Sequence, residues 1–320
     1  MLIDHAFPAK KIENTELQRG AWSAQKIFEK IGIRSRFTAT EHETALDLGF
    51  QAAENLIHKH KINRDHIDCL LYCTQSPDYI IPNNVSLLHE RLHLKTKIPA
   101  IEYNQGCTGY IYGLFLAKSL ILSQQVNTVL FVTADTYTKY LKEDNLGCRT
   151  VFGDGATASL ISKADSQQFG ECVFGTNGTD FQSLYLSGVG AKTKNEPLDL
   201  HMDGPAVFSF TLKVVPTVIA ETLEKNKLTL DDIDHVVFHQ ANGFMLEALR
   251  EKIGIPLEKF CLHFSESGNT VSSTIPIVLQ NLFETKKLKP NAKILLCGFG
   301  VGLSWGAVII QVLTEAQAEA

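Results

Sequence analysis

Residues 101–121, IEYNQGCTGYIYGLFLAKSLI, decide how the rest of the chain is read. An apolar-flanked run ends at Gly106, Cys107 follows with Thr108 and Gly109, and Ile111, Leu114, Phe115, Lys118 and Leu120 then recur at helical spacing. The pattern predicts a strand, a tight turn and a helix, with Cys107 at the helix N-terminus. Unpaired backbone N–H groups and the positive end of the helix dipole gather there, favour thiolate over thiol and lower a cysteine pKa. Cys107 is therefore a candidate nucleophile. A small buried cysteine at a glycine-rich turn has the same signature, so partners elsewhere in the chain must decide.

The whole sequence narrows the classes in which to look for them. At 320 residues and 44% hydrophobic content the chain can bury a large core. A formal net charge of −5, with no long basic block, points away from nucleic acid and from a polybasic membrane patch. The N-terminus MLIDHAFPAKKIENTE has no apolar signal core, and no stretch holds 18 apolar residues without a charge or break, so the reading is a soluble, cytoplasmic protein. Seven scattered cysteines with no CxxC pair and no Cys/His ligand spacing predict reduced thiols and no metal site.

Outward from Cys107 the chain repeats itself. RDHIDCLLYCTQS (64–76) and LDDIDHVVFHQAN (230–242) each follow a helical pattern, and Ile67-Asp68 answers Ile233-Asp234. NTVLFVTAD (127–135) is matched by AKILLCGFG (292–300), with Thr128 answering Lys293. The two spacings, 166 and 165 residues, agree to one position and argue for a duplicated α/β unit. CRTVFGDGATASLISK (148–163) reads as two strands joined at the Gly-Asp-Gly turn, and the polar KADSQQFGE (163–171) separates halves 1–165 and 166–320. Strands alternating with helices in each half predict layered sheets covered by helices.

Differences between the halves bring out the remaining candidates. The strand IDHVVFHQAN ends on His239, at the carboxyl end where ligands gather in α/β folds, a place that a histidine satisfied at a strand end fits equally well. FSESGNTVSSTIPIVLQNLF (264–283) places Asn269 after a glycine at the start of an apolar helix, the setting of Cys107 in the first half and equally that of an N-cap. LLCGFGVGLSWGA (295–307) supplies a glycine-rich loop whose backbone N–H groups can approach a reacting oxygen.

GCTGYIYGL, FGDGA, HQAN, GNT and GFGVGLSWG, in that order, resemble the β-ketoacyl-acyl carrier protein synthase III family of thiolase-fold condensing enzymes over roughly residues 30–312. The resemblance implies an α/β thiolase-like fold of two similar halves in α/β/α/β/α layers, and a homodimer. It implies a triad of Cys107, His239 and Asn269, with the backbone N–H groups of Cys107 and Val301 as the oxyanion hole. Phe152, Leu200, Met202, Phe208 and Phe299 would line the acyl pocket, with Ile81 crossing from the partner protomer to close it. The implied substrates are an acyl thioester of coenzyme A or acyl carrier protein and malonyl-acyl carrier protein, in fatty-acid or specialised acyl biosynthesis, with no metal or redox cofactor.

The chain departs from this family at its cavity mouth and pocket. Lys26 stands where family members stack a Trp on adenine, Lys30 where they have an Arg, and Arg149 is the nearest candidate for a second adenine-facing Arg. Phe244 replaces an Arg that helps dock the carrier, which leaves Lys213, Arg250 or Lys252 for that work. Ile81 is shorter than the Phe of acetyl-specific members and predicts a roomier pocket, and Val301 sits in a GVG loop where GGG is common. Condensation competes with a reading in which Cys107 passes its acyl group to an amine or hydroxyl without decarboxylation. A papain-like hydrolase also uses Cys, His and Asn, but not on a duplicated α/β unit.

Overall fold

The computed structural model describes residues 1–285 and 288–313; the end of the second half expected from the sequence, 314–320, lies outside the described residues. Two sheets form its framework. The first runs in the order Leu2–Ala6, Gly155–Ser162, Thr128–Asp135, Cys69–Cys73, Ala100–Tyr103. The second runs Val173–Thr176, Ser304–Gln311, Lys293–Gly300, His235–Phe238. Its fifth place is reduced to a single parallel bridge between Val236 and Phe260. The register repeats as well as the order: Cys69 lies opposite Val129, and His235 lies opposite Ile294, both in parallel pairs.

The central strands read as continuous apolar runs because both faces are covered. Val129 to Val132 and Ile294 to Cys297 have no solvent exposure. Between the sheets lie the helices Gly109–Leu122 and Thr274–Glu284. Ile111, Leu114 and Ile121 of one, and Ile275, Val278 and Leu282 of the other, share a core with Phe131, Val129, Leu296 and Val308 of the two sheets. The Gly109–Leu122 helix is apolar around most of its circumference, Lys118 and Ser119 excepted, as suits a helix sandwiched between sheets. Helix Ala45–His60 covers the outer face of the first sheet through Ala52, Ala53 and Leu56. Helices Gly204–Lys225 and Gly243–Ile253 cover that of the second. These are the α/β/α/β/α layers implied by the resemblance.

By length and composition Gly204–Lys225 could cross a membrane. It carries Lys213 and Pro216, and it packs Val207, Val215, Val218 and Ile219 into the core of the second half, the burial of an outer-layer helix. The reading of CRTVF as a strand is corrected. Leu146–Val151 is a short helix, because the Asn145 side chain caps it by accepting the Cys148 N–H at 3.1 Å, and only Gly155–Ser162 continues as a strand.

A buried polar seam joins the halves. Thr133 Oγ1 meets Thr157 Oγ1 at 2.7 Å and Ser273 Oγ at 2.8 Å. Beside it the Asp135 carboxylate accepts from Ser272 Oγ at 2.5 Å and from the Gln75 N–H at 2.7 Å. Strand ends from one half thus close on the turn that starts the middle-layer helix of the other.

Candidate active site

Cys107 lies in a 3-10 turn, Gly106–Thr108, between the Ala100–Tyr103 strand and the Gly109–Leu122 helix. Gly106 opens the turn at φ +47°, and a Cβ there would stand 2.3 Å from Gln75 Oε1 and 2.5 Å from Val301 Cγ1. Only glycine fits both the dihedral and the space. Thr108 fixes the far side, donating to the Gln105 carbonyl at 3.0 Å and meeting Ser304 Oγ at 2.9 Å. The strand end Gly300, at φ +151°, approaches so closely that a Cβ would lie 3.0 Å from the Cys107 sulfur. Its backbone can reach the sulfur because it carries no side chain.

The electrostatics differ from the sequence expectation. The backbone N–H groups of Val301 and of Cys107 itself do bond the sulfur and favour thiolate. Burial outweighs them, and with a smaller contribution from the Asp135 charge it pushes the Cys107 thiol up to about 12. Position at a helix start is visible in the sequence; the loss of water around a residue 5% exposed is not. At neutral pH the resting group is a thiol.

His239 directly follows the His235–Phe238 strand, its N–H donating to the Cys297 carbonyl at 2.8 Å. Gln240 locks the following turn, accepting the His263 N–H at 3.0 Å and donating to the Phe238 carbonyl at 2.6 Å. The imidazole stands edge-on to Phe299, with ring centroids 5.6 Å apart. Burial lowers its pKa to about 3, so the ring is neutral at working pH. Both ring nitrogens have partners: Nδ1 meets Thr274 Oγ1 at 2.8 Å, and Nε2 meets Asn269 Nδ2 at 3.4 Å.

Asn269 is held at both its backbone and its side chain. Its N–H donates to the Val151 carbonyl at 2.9 Å, and its carbonyl accepts from the Gly153 N–H at 3.0 Å. Its Oδ1 accepts the Val271 N–H at 2.9 Å, a bond that supports Val271 at φ +54° and leaves the amide nitrogen toward His239. A β-branched residue in the left-handed region is held there by its surroundings.

The three side chains converge on one cavity of about 450 Å³, walled by Phe152, Met202, Phe208 and Phe299 with Leu184, Met245 and others. Leu200 lies elsewhere: Met202, at the end of the Asp199–Met202 strand, lines this cavity, while Leu200, two residues earlier, walls a neighbouring one beside Val301. Ile81 is 87% exposed and lines neither. At the mouth stands Lys30, its Nζ 4.6 Å above the ring of Trp22, a partly exposed aromatic just before the Ala24–Ile31 helix. Phe244, 64% exposed, stacks on Phe208 with centroids 5.2 Å apart. Sequence reasoning singled out Lys30 and Phe244 only as departures, and it missed Trp22, Thr274 and Gln75. Trp22 lies one turn before Lys26 in sequence, a signal that was available; Thr274 and Gln75 announce themselves only through contacts across the fold.

Comparison with known proteins decides the family. Residues 101–178 match the family described as 3-oxoacyl-[acyl-carrier-protein (ACP)] synthase III, and residues 223–312 match its C-terminal counterpart. A beta-ketoacyl-[acyl-carrier-protein] synthase III of Clostridium perfringens is 31% identical over 316 residues, covering 95% of this chain and 96% of its own. The chain belongs to the 3-oxoacyl-[acyl-carrier-protein] synthase III family. Among solved structures, a 3-oxoacyl-(acyl-carrier-protein) synthase III superposes with a TM-score of 0.92 at 36% identity, covering 96% of this chain and 97% of that one. The Thermus thermophilus β-ketoacyl-[acyl carrier protein] synthase III superposes with a TM-score of 0.89 at 30% identity, covering 97% and 98%. This chain is a condensing enzyme of the synthase III type, a thiolase-fold acyltransferase.

Proposed function

We propose that the chain loads an acyl group from an acyl thioester onto Cys107 and extends it with malonyl-acyl carrier protein in a decarboxylating Claisen condensation. The observation that carries this reading is the convergence of Cys107, His239 and Asn269, from both halves, on one cavity beside the Gly300–Val301 backbone. In the first half-reaction the Cys107 sulfur attacks the thioester carbonyl, whose oxygen takes up the N–H groups of Cys107 and Val301. The donor thiol leaves carrying the proton that Cys107 gives up. One thioester replaces another, so the exchange is nearly isoenergetic and tolerates a resting thiol with a raised pKa.

In the second half-reaction the malonyl carboxylate departs as CO2, and its bonding electrons form an enolate. The Asn269 amide and His239 Nε2–H stabilise the enolate oxygen. For Nε2 to carry the ring proton, Nδ1 must accept a hydrogen bond; the Thr274 hydroxyl, 2.8 Å away and donating to the Val271 carbonyl at 3.2 Å in the resting structure, would turn to donate it. The enolate carbon attacks the acyl carbonyl, Cys107 leaves as thiolate and regains a proton from solvent, and the β-ketoacyl product departs on the carrier. These steps call for no metal or redox cofactor.

The carrier protein docks, on this reading, at exposed Lys213 and Lys252, since Arg250 is already paired with Glu247 at 2.5 Å. A homodimer forms along the Ala100–Tyr103 edge of the first sheet, where Tyr79, Ile80 and Ile81 are 58%, 78% and 87% exposed and Ile101 adds to the apolar surface. Ile81 would then close the partner's site. Residues 1–165 and 166–320 act as two halves of one cytoplasmic enzyme.

Intact-protein mass spectrometry tests the reading, using acyl-coenzyme A and acyl-carrier donors on wild type beside Cys107→Ala, followed by malonyl carrier. A Cys107-dependent adduct discharged as a β-ketoacyl product supports condensation. An adduct that persists with malonyl carrier and discharges only onto an amine or hydroxyl overturns it in favour of simple acyl transfer.

A further inference from the structure

A second cavity, of about 510 Å³, lies on the other side of Val301. Alongside apolar walls such as Leu186, Leu200 and Val301 it carries polar groups, amides and a carboxylate among them. Gln75, Glu102, Asn104, Tyr137 and Tyr140 all face it. Taking the acyl group of Cys107 to extend past Val301 into this cavity, which Leu200 also lines, we propose that the cavity selects an acyl chain bearing a hydroxyl. The inference rests on the reading that Cys107 is acylated, and it names the class of acyl group.

Two contacts tie the cavity to the nucleophile. Gln75 Oε1 and Val301 Cγ1 both abut Gly106, the residue before Cys107. The Tyr137 ring packs on Phe152, which walls the Cys107 cavity, at 5.2 Å between centroids. An acyl carbonyl seated on the Val301 N–H therefore stands beside a residue that walls the second cavity, and the proposal requires its chain to pass Val301.

The polar groups are arranged in one direction. The Tyr137 hydroxyl donates to Gln75 Oε1, and Gln75 Nε2 donates to Asn104 Oδ1 at 2.5 Å. With both amide oxygens engaged, the Asn104 amide hydrogens and the second Gln75 amide hydrogen are left to donate. Close by, the Glu102 carboxylate accepts from the Val85 N–H at 2.8 Å and the Asn84 amide at 3.4 Å, and retains further acceptor capacity. A hydroxyl serves both needs, accepting from an amide N–H and donating to the carboxylate. A plain alkyl chain would desolvate these groups and return no hydrogen bond. A site built to bond a hydroxyl discriminates strongly against the analogue lacking one, here on the order of tenfold to a hundredfold.

Acyl loading is measured by intact mass with pantetheine thioesters in matched pairs: 6-hydroxyhexanoyl against hexanoyl, and 3-hydroxybutanoyl against butanoyl. Wild type is compared with Gln75→Leu and Asn104→Leu, each checked for a wild-type melting curve; Asn104 is exposed, which keeps the test sound if Gln75→Leu does not fold. The expected result is at least tenfold faster loading of the hydroxylated member of one pair by wild type, with that ratio collapsing or reversing in the variants. Equal or faster loading of the alkyl member by wild type, or a ratio that neither variant changes, overturns the proposal. Alkyl chains that load and then condense would sink this selectivity while leaving the proposed function standing; no adduct from any thioester would sink both.

Discussion

The same turn was built twice in this molecule and put to different uses. In the first half a residue at φ +47°, Gly106, opens a 3-10 turn that runs into the Gly109–Leu122 helix. In the second half Val271, at φ +54°, opens the turn that runs into Thr274–Glu284. Cys107 is therefore matched by Ser272. Cys107 faces the Val301 N–H and the cavity, whereas the Ser272 hydroxyl donates to the buried Asp135 carboxylate. Backbone geometry alone does not make a nucleophile; the difference lies in what each turn faces. On the proposed mechanism the first presents an attacking atom to N–H donors, and the second, through Asn269 and Thr274, sets the orientation of His239.

The sharpest test is to move the nucleophile. Combining Cys107→Ala with Ser272→Cys should abolish acyl loading, a loss of more than about a thousandfold, because position 272 faces a carboxylate rather than oxyanion donors. A mass adduct at position 272 would break the comparison. Asn269→Asp keeps an oxygen for the Val271 N–H but removes the donor. Single-turnover assays should show acyl loading retained and condensation reduced about 10²–10³-fold.

The two left-handed positions should respond unequally to the same residue. Gly106→Ala forces a Cβ into Gln75 and Val301 and should cost on the order of 2–3 kcal/mol in denaturant melts. Val271→Ala removes two methyl groups already accommodated and should cost about 1–2 kcal/mol. Equal losses would mean that the two turns are packed alike and that the space around Gly106 does not require glycine. Thr274→Val should lower the rate of condensation about tenfold and leave loading intact, with Thr274→Ser restoring it; loss in both half-reactions would point to a packing role.

The smallest effect concerns pH. Burial raises Asp135 to about 7 from an ordinary 3.8, so the fold binds a proton there that the unfolded chain has already lost. Its contribution favours the fold at low pH and is lost as pH climbs from about 4 to about 7. Asp154, raised to about 6, acts in the same sense. Melts of Asp135→Asn across that window should show a shallower decline than wild type, and an unchanged slope would remove Asp135 as its source.

Much of this arrangement was legible in the sequence because the signals were local. The buried strands around Val129 and Ile294 are apolar on both faces, so their repeat stands out at a fixed spacing. Cys107, His239 and Asn269 each sit at a strand end or helix start, where a motif shows in consecutive residues. CRTVF misled because its β-branched residues suit a strand, while the Asn145 cap that makes it helical lies upstream. The Cys107 pKa misled because burial is contributed by distant elements. Gln75, Tyr137 and Thr274 carry no motif at all, and their importance comes from partners 29 to 62 residues away.

The polar seam of Thr133, Thr157, Ser273 and the Asp135–Ser272 bond has a consequence for how the molecule melts. Separating the halves would break these hydrogen bonds together and uncover the apolar helices Gly109–Leu122 and Thr274–Glu284 between the sheets, so a partly opened state is penalised before either sheet has come apart. Duplication suggests a chain able to lose one half and keep the other. The seam instead couples them into a single cooperative unit, and a calorimetric scan should trace one heat-absorption peak, not two.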